Sequence, residues 1–434
     1  GGANREGTLA EAWKLLLTAQ HHDINICGVS SGGEHGDFLY EVAERFYGRV
    51  IDQAETVTKA SLKSVLTLMK AGEEADRIIL AYNPLNWPRQ ALVEVRVLSD
   101  KKSFPNSFRI SKDGAPLEYQ VIKTEEYPGG YLSLTTLAIS LELGPQGFAA
   151  VDLMFSPEEP AAPDPGGVVE NEEAITVHTR WGRFMLVRAT GECLAFDLEG
   201  RPWLLPGAEN GVFTATVNGV DCRSQPEETE VAARGPLFTV VRVRGRIGEL
   251  PYWNEVTVYR DCPRLDFRTT VEVRGQTVGA TEVPAEWEGK DEPVVQEKKL
   301  LVHFTPALAG PAEVAQDFPF TVAPTRNGYI NAGYWVDVSD GRRGLTFANR
   351  GTMGYLWDGR RLSNILLYSG KYSWGERQAF LDGRYTLEYS LTFHEGDWRK
   401  GGAHRLGLEY NFPPVALANK PRPGKMHPAE LESG

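Results

Sequence analysis

The chain has 434 residues, a length that suits about three domains at roughly 150 residues each. Lys and Arg number 46 against 58 Asp and Glu, giving a formal net charge of -12, and this acid excess argues against a nucleic-acid or anionic-membrane partner, since both are usually held through basic patches. Hydrophobic residues make up 41%, enough for a large core. No apolar run approaches the roughly 18 residues a membrane span needs, and Gly1-Gly2-Ala3-Asn4-Arg5 carries no apolar signal segment, so the sequence reads as a soluble, cytoplasmic protein.

The first predicted element is a helix. Thr8 and Glu11 have the spacing of a capping box, in which each side chain satisfies a free backbone donor at a helix start. Leu9, Trp13, Leu16 and Gln20 then follow one face at helical spacing, with Leu15, Ala19 and His22 on an adjoining one. The pattern runs to about Asp23 and breaks at Gly28-Val29-Ser30-Ser31-Gly32-Gly33. A second helical stretch starts near Asp37 and stops at Ala71-Gly72, with Gly48 placed to bend or divide it. Residues 1–75 are therefore expected to form a small helical bundle.

After residue 75 the pattern changes to short alternating strands separated by Gly, Pro, Asn and Asp, the signature of all-β sandwiches. Residues 77–82, 91–98, 117–124, 131–143 and 148–155 read as strands of a small β-sandwich over 76–156. Residues 157–167 hold four prolines and read as a stiff linker. A larger β domain is expected over 168–418. Within it 237–247, 252–260 and 265–274 form three consecutive runs in which Thr239, Val241, Val243 and Gly245 alternate with Val240, Arg242, Arg244 and Arg246, giving one buried and one wet face. Residues 282–297 read as an acidic loop and 419–434 as a poorly ordered tail. The fold class is mainly β with an N-terminal α-helical bundle.

The densest chemical candidate is His21-His22-Asp23 at the end of the first helix. Two imidazoles and a carboxylate can supply a metal ligand and an orienting or substrate-binding group. Adjacent helical residues project about 100° apart, so one ligand from the triplet is expected. The same residues also suit a polar helix end. Glu34-His35-Gly36-Asp37 adds further ligand types, equally explained as the first turn of the next helix. The other histidines show no ligand spacing. Cys27, Cys193, Cys222 and Cys262 include no CxxC pair and read as reduced structural thiols. No phosphate-binding loop, dinucleotide fingerprint or nucleophile elbow appears. Trp335, Tyr355, Trp357, Tyr368, Tyr372 and Trp374 cluster late in the chain, either to stack on a saccharide or to pack a sandwich core.

Four segments, taken in order, carry a resemblance. Leu15-Leu16-Leu17-Thr18-Ala19-Gln20-His21-His22-Asp23 resembles the QHHD-bearing helix of the glycoside hydrolase family 38 α-mannosidases. Ala81-Tyr82-Asn83-Pro84-Leu85-Asn86-Trp87-Pro88-Arg89 resembles the family's opening β segment. Gly344-Leu345-Thr346-Phe347-Ala348-Asn349-Arg350-Gly351 resembles its NRG segment, and Arg405-Leu406-Gly407-Leu408-Glu409-Tyr410-Asn411-Phe412-Pro413 its closing strand. The sequence departs from the family after the triplet, where Ile24-Asn25-Ile26-Cys27-Gly28 replaces the usual continuation.

The resemblance implies an N-terminal catalytic barrel, then a helical bundle, a β-sandwich and a large supersandwich of antiparallel sheets, with this chain beginning at the bundle. It implies zinc as cofactor, with His22 matching the metal ligand and Asp23 matching the residue that holds hydroxyls of a bound mannose. Asn349 and Arg350 match a loop that approaches the substrate. The nucleophile and acid are expected in the barrel, so no catalytic residue is expected in this chain. The implied partners are a mannose-containing saccharide and the barrel, in cis or in trans; a homo-oligomer is left open. The alternative is a non-catalytic carbohydrate-binding or assembly module that uses the late aromatics.

Overall fold

A computed structural model of the chain describes residues 5–21, 34–69, 72, 74–99, 107–127, 132–156, 167–279, 298–325, 328–369 and 382–421, with the backbone alone for 34–40. These residues fall into two units: one runs to residue 156 and takes back 413–421, and the other holds 167–369 with 382–412. The architecture is mainly β with helices at the N-terminus, as the sequence predicts. Two units replace the expected three because the helices and the first sandwich share one body. No helix among the described residues is long and apolar enough to cross a membrane.

The first unit opens with the helix Arg5–Ala19, which lies antiparallel to the helix Glu34–Leu66. Arg5 Nη2 donates to Ser64 Oγ at 2.7 Å, and at the other end the Tyr47 hydroxyl donates to the Ala19 carbonyl at 2.9 Å. Arg5 is already helical and anchored across the pair, so Thr8 and Glu11 lie inside the helix rather than at its cap. Its buried seam is Ala12, Leu15 and Ala19. Two alanines in that seam let the helices approach closely. Leu9 and Trp13, which the sequence pattern assigns to the seam, instead face outwards. The second helix runs unbroken through Gly48.

Two antiparallel sheets form the sandwich. One has the strand order Val415–Asn419, Arg77–Tyr82, Phe148–Phe155, Phe108–Lys112, Ala115–Pro116; the other has Arg89–Ser99, Ser133–Leu143, Tyr119–Glu126. Ile79, Val93, Val95, Leu137, Ile139 and Val151 meet between them. Ile78, Leu80 and Ala150 point to the opposite face, where Leu62, Leu66 and Met69 from the end of the long helix cover them. The strand Arg77–Tyr82 is therefore buried on both faces, which explains its unbroken apolar run.

The second unit is built on a fourteen-stranded antiparallel sheet with a separate four-stranded one. The three predicted runs are the strands Phe238–Ile247, Leu250–Tyr259 and Arg264–Val273, paired in series. Val241 and Val243 enter the core, and Arg242 and Arg244 stay on the wet face. The Tyr389 ring lies stacked between Phe267 at 5.0 Å and Phe347 at 5.3 Å. Such offset stacks add to the burial of the rings themselves.

One expected strand is a helix. Ala403–Asn411 buries Ala403, Gly407 and Tyr410, at helical spacing, against Ala315, Trp335 and Ala348. The resemblance implies a closing strand here, but the apolar surface around Trp335 takes the face that Ala403, Gly407 and Tyr410 form at helical spacing. The following strand Val415–Asn419 pairs with Arg77–Tyr82 of the first unit. The second unit thus ends near residue 412 rather than 418, and Asn419 is paired rather than part of a loose tail.

Candidate functional site

The first helix closes by tightening. The Gln20 amide donates to the Leu16 carbonyl at 2.9 Å and the His21 amide to the Thr18 carbonyl at 3.2 Å. His21 is exposed. His22 and Asp23, the expected zinc ligand and mannose contact, lie outside the described residues, as does Cys27; Glu34, His35 and Asp37 are described by backbone only. What leads to the triplet is described. Leu9, Trp13 and Leu17 are 39%, 61% and 64% exposed. Their spacing of four residues puts them in one apolar stripe along the outer face of the helix, in line with His21.

Asn349 and Arg350 are both described, and the structure separates their roles. Asn349 is 0% exposed. Its Nδ2 donates to the Tyr355 hydroxyl at 2.7 Å and to the Gly333 carbonyl at 3.3 Å, while its Oδ1 accepts the Gly351 amide at 3.0 Å. In this structure the Asn349 side chain is spent on these three hydrogen bonds. It fixes the turn after the strand Arg343–Asn349, in which Gly351 takes φ 97. Arg350 is half-exposed. Nη1 donates to Glu388 Oε2 at 2.8 Å and Nη2 to the Tyr410 carbonyl at 2.6 Å, with the guanidinium 4.3 Å from the Tyr410 ring centroid. It caps the carbonyl end of the last helix, where a cation is favoured.

Asn83 does similar work in the first sandwich. Its Nδ2 donates to the Trp87 and Gly144 carbonyls at 2.9 and 2.8 Å, and its Oδ1 accepts the Leu85 amide at 3.1 Å. Two of the four recognition segments are therefore turn-forming devices.

Among the described residues no three of His, Cys, Asp and Glu converge as metal ligands. The described residues therefore do not form a zinc site by themselves. The described histidines that are buried serve the core. His303 lies 2.7 Å from both Thr214 Oγ1 and Ser363 Oγ. Burial, aided by Arg361 and Arg223, pushes its pKa down to about 3. His394 Nε2 is 2.6 Å from Asp337 Oδ2, which also accepts from Thr346 Oγ1 at 2.9 Å. Burial pushes the Cys193 thiol up, as suits an inert structural cysteine.

Of the late aromatics, Trp335 and Tyr355 are fully buried and Trp357 packs half-buried against the core. Tyr372 and Trp374 lie outside the described residues. The sequence reading passed over another aromatic, Trp253, which stands half-buried on the wet face of its strand beside Arg242 and Arg244. The alternation that assigned Arg242 and Arg244 to that face was the signal that could have found it.

No family model and no curated protein matches the chain. Among solved structures it is similar to a glycosyl hydrolase family 38 protein from Enterococcus faecalis, at 16% identity and a TM-score of 0.66, over 96% of this chain and 56% of that one. It is also similar to an α-mannosidase from Enterococcus faecalis V583, at 15% identity and a TM-score of 0.61, over 96% of this chain and 54% of that one. The chain thus spans about half the length of the structures it matches. The likeness is one of fold, and it agrees with the resemblance that the four segments carry.

Proposed function

We propose that this chain is the C-terminal part of a zinc-dependent retaining α-mannosidase that hydrolyses terminal α-mannosides, working with a catalytic barrel that supplies the nucleophile and the acid. The order of the four segments and the likeness in fold to a solved α-mannosidase support this reading. The observation that carries it is the stripe Leu9, Trp13 and Leu17 running towards the His-His-Asp triplet. Burying each such side chain is worth roughly 1.5–3 kcal/mol, so the stripe is a docking face, and the barrel is the occupant that would bring further ligands to His22. In this reading His22 gives one nitrogen to zinc, Asp23 holds a mannose hydroxyl, and the exposed edge of Arg350 is available to the saccharide. When bound, zinc would hold sugar hydroxyls and stabilise developing charge.

One imidazole does not hold zinc, because catalytic sites take about three protein ligands. The chain alone is therefore expected neither to bind zinc tightly nor to cleave mannosides. The alternative of a binding module would have to use aromatics other than Trp335 and Tyr355, which are core residues. The test is to assay aryl α-mannoside hydrolysis and zinc content of the chain alone and of the chain joined to the coding sequence preceding it in its genome. Activity and zinc should appear only in the joined protein, and His22→Ala should remove both. Trp13→Glu with Leu17→Glu should abolish activity while the chain still folds. Turnover by the chain alone, or unchanged zinc content in His22→Ala, overturns the proposal.

A further inference from the structure

The wet face of five neighbouring strands in the second unit, Val220–Ala233, Phe238–Ile247, Leu250–Tyr259, Arg264–Val273 and Gly383–Glu395, is concave, with a volume of about 530 Å³. Register places Glu230, Arg242, Glu255 and Arg268 in one cross-strand row, and Glu228, Arg244, Trp253 and Thr270 in the next. Arg242 Nη1 is 2.5 Å from Glu230 Oε1 and its Nη2 is 2.8 Å from Glu255 Oε1. The Arg384 guanidinium lies 4.9 Å from the Trp253 ring centroid. Cross-strand charge pairs of this kind add only about 0.2–1 kcal/mol each to a sheet. That accounts for the ladder, but not for a half-buried indole set among its charges in the lining of the hollow.

We propose that this face binds a neutral, hydroxyl-rich oligosaccharide, with Trp253 under a sugar ring and the guanidinium and carboxylate groups around it taking the hydroxyls. An indole presents a broad apolar surface to the C–H face of a ring. Planar guanidinium and carboxylate groups offer paired donors and paired acceptors side by side, and a hydroxyl is the ligand group that uses both. Three glutamates stand among four arginines in the lining, so a polyanion gains no uniformly basic face, and nucleic acid is further disfavoured by the net charge of -12. The hollow crosses four inter-strand gaps, about 19 Å at the usual strand spacing, which fits several rings rather than one. The inference stands on this face alone and extends the saccharide chemistry proposed above without using His22 or Asp23.

The test is calorimetric titration of the 434-residue chain with linear α-linked mannotetraose, cellotetraose and tetragalacturonate. At least one neutral tetraose should bind more tightly than tetragalacturonate. Trp253→Ala should weaken that binding at least tenfold and Arg384→Ala several-fold, with unfolding temperatures unchanged; Trp253→Phe should keep part of the affinity. The titration is read on this chain alone, for which no turnover is expected, so failure here and failure of the mannosidase reading are distinguishable. Absence of binding by both neutral probes at millimolar concentration, tighter binding of tetragalacturonate, or parental affinity in Trp253→Ala overturns the proposal.

Discussion

Replacing Gly407 by alanine sets two effects against each other. Alanine improves the helical preference of that position by about 1 kcal/mol. However, a Cβ at Gly407 would lie 2.3 Å from Trp335 Cδ1 and 2.6 Å from Cγ, well inside the roughly 3.5–4.0 Å of a favourable carbon contact. Trp335 is 1% exposed and is packed with Ala315, Ala348 and the Trp398 ring, so it has little room to retreat. The helix Ala403–Asn411 must lift or the indole must leave its rotamer. Overpacking of this kind costs about 1–3 kcal/mol, and a clash of this depth belongs at the upper end. The net loss is then about 1–2 kcal/mol, or a fall of roughly 2–8 °C in the midpoint of a domain of this size. Calorimetry on Gly407→Ala reads it directly. The double variant with Trp335→Leu should lose less than the sum of the two single changes, by about 0.5 kcal/mol or more. A Gly407→Ala midpoint at or above that of the parent would refute the reasoning.

The His303 imidazole takes up a proton near pH 6.5 when unfolded but only near pH 3 when folded. Its folded pKa is depressed, so its contribution is present above about pH 6.5 and is lost towards pH 3, at up to about 1.4 kcal/mol per pH unit. Urea titrations of His303→Gln between pH 4 and 7 should show a flatter acid limb, and an unchanged slope would remove His303 as its source. Arg350→Ala should cost about 1–2 kcal/mol, mostly from the charged bond to the Tyr410 carbonyl, because the half-exposed pair with Glu388 is worth little; Arg350→Lys should recover part of it. Asn349→Ala should cost about 1–3 kcal/mol, because it strips the buried Tyr355 hydroxyl of a partner and removes the acceptor that holds the turn at Gly351. Unaltered stability in either variant would deny these residues their turn-and-clamp role.

The legible parts of the fold were those set by local periodicity. The strands through Val241, Val256 and Phe267 were readable because one face is apolar and the other wet. The helices were readable from their spacing, but which side of the first helix is buried was not. Ala12 and Ala19 say little in a hydrophobicity pattern, yet small side chains decide how closely two helices approach. The strand expected over 405–413 came from the resemblance alone, and what makes the segment a helix is a tertiary surface around Trp335. Of the candidate site, the burial of Asn349 was not legible in its motif. An asparagine held in a turn by three hydrogen bonds carries the same letter as one that touches a sugar.

The pairing of Val415–Asn419 with Arg77–Tyr82 has a bearing on biosynthesis. When the strand at 77–82 leaves the ribosome, one of its two neighbours is still more than three hundred residues from being translated. Its backbone amides and carbonyls on that side must wait, solvated or shielded by a chaperone, while the whole second unit emerges and folds. Premature termination anywhere before residue 415 would leave that row permanently open, a ready template for pairing with another nascent chain.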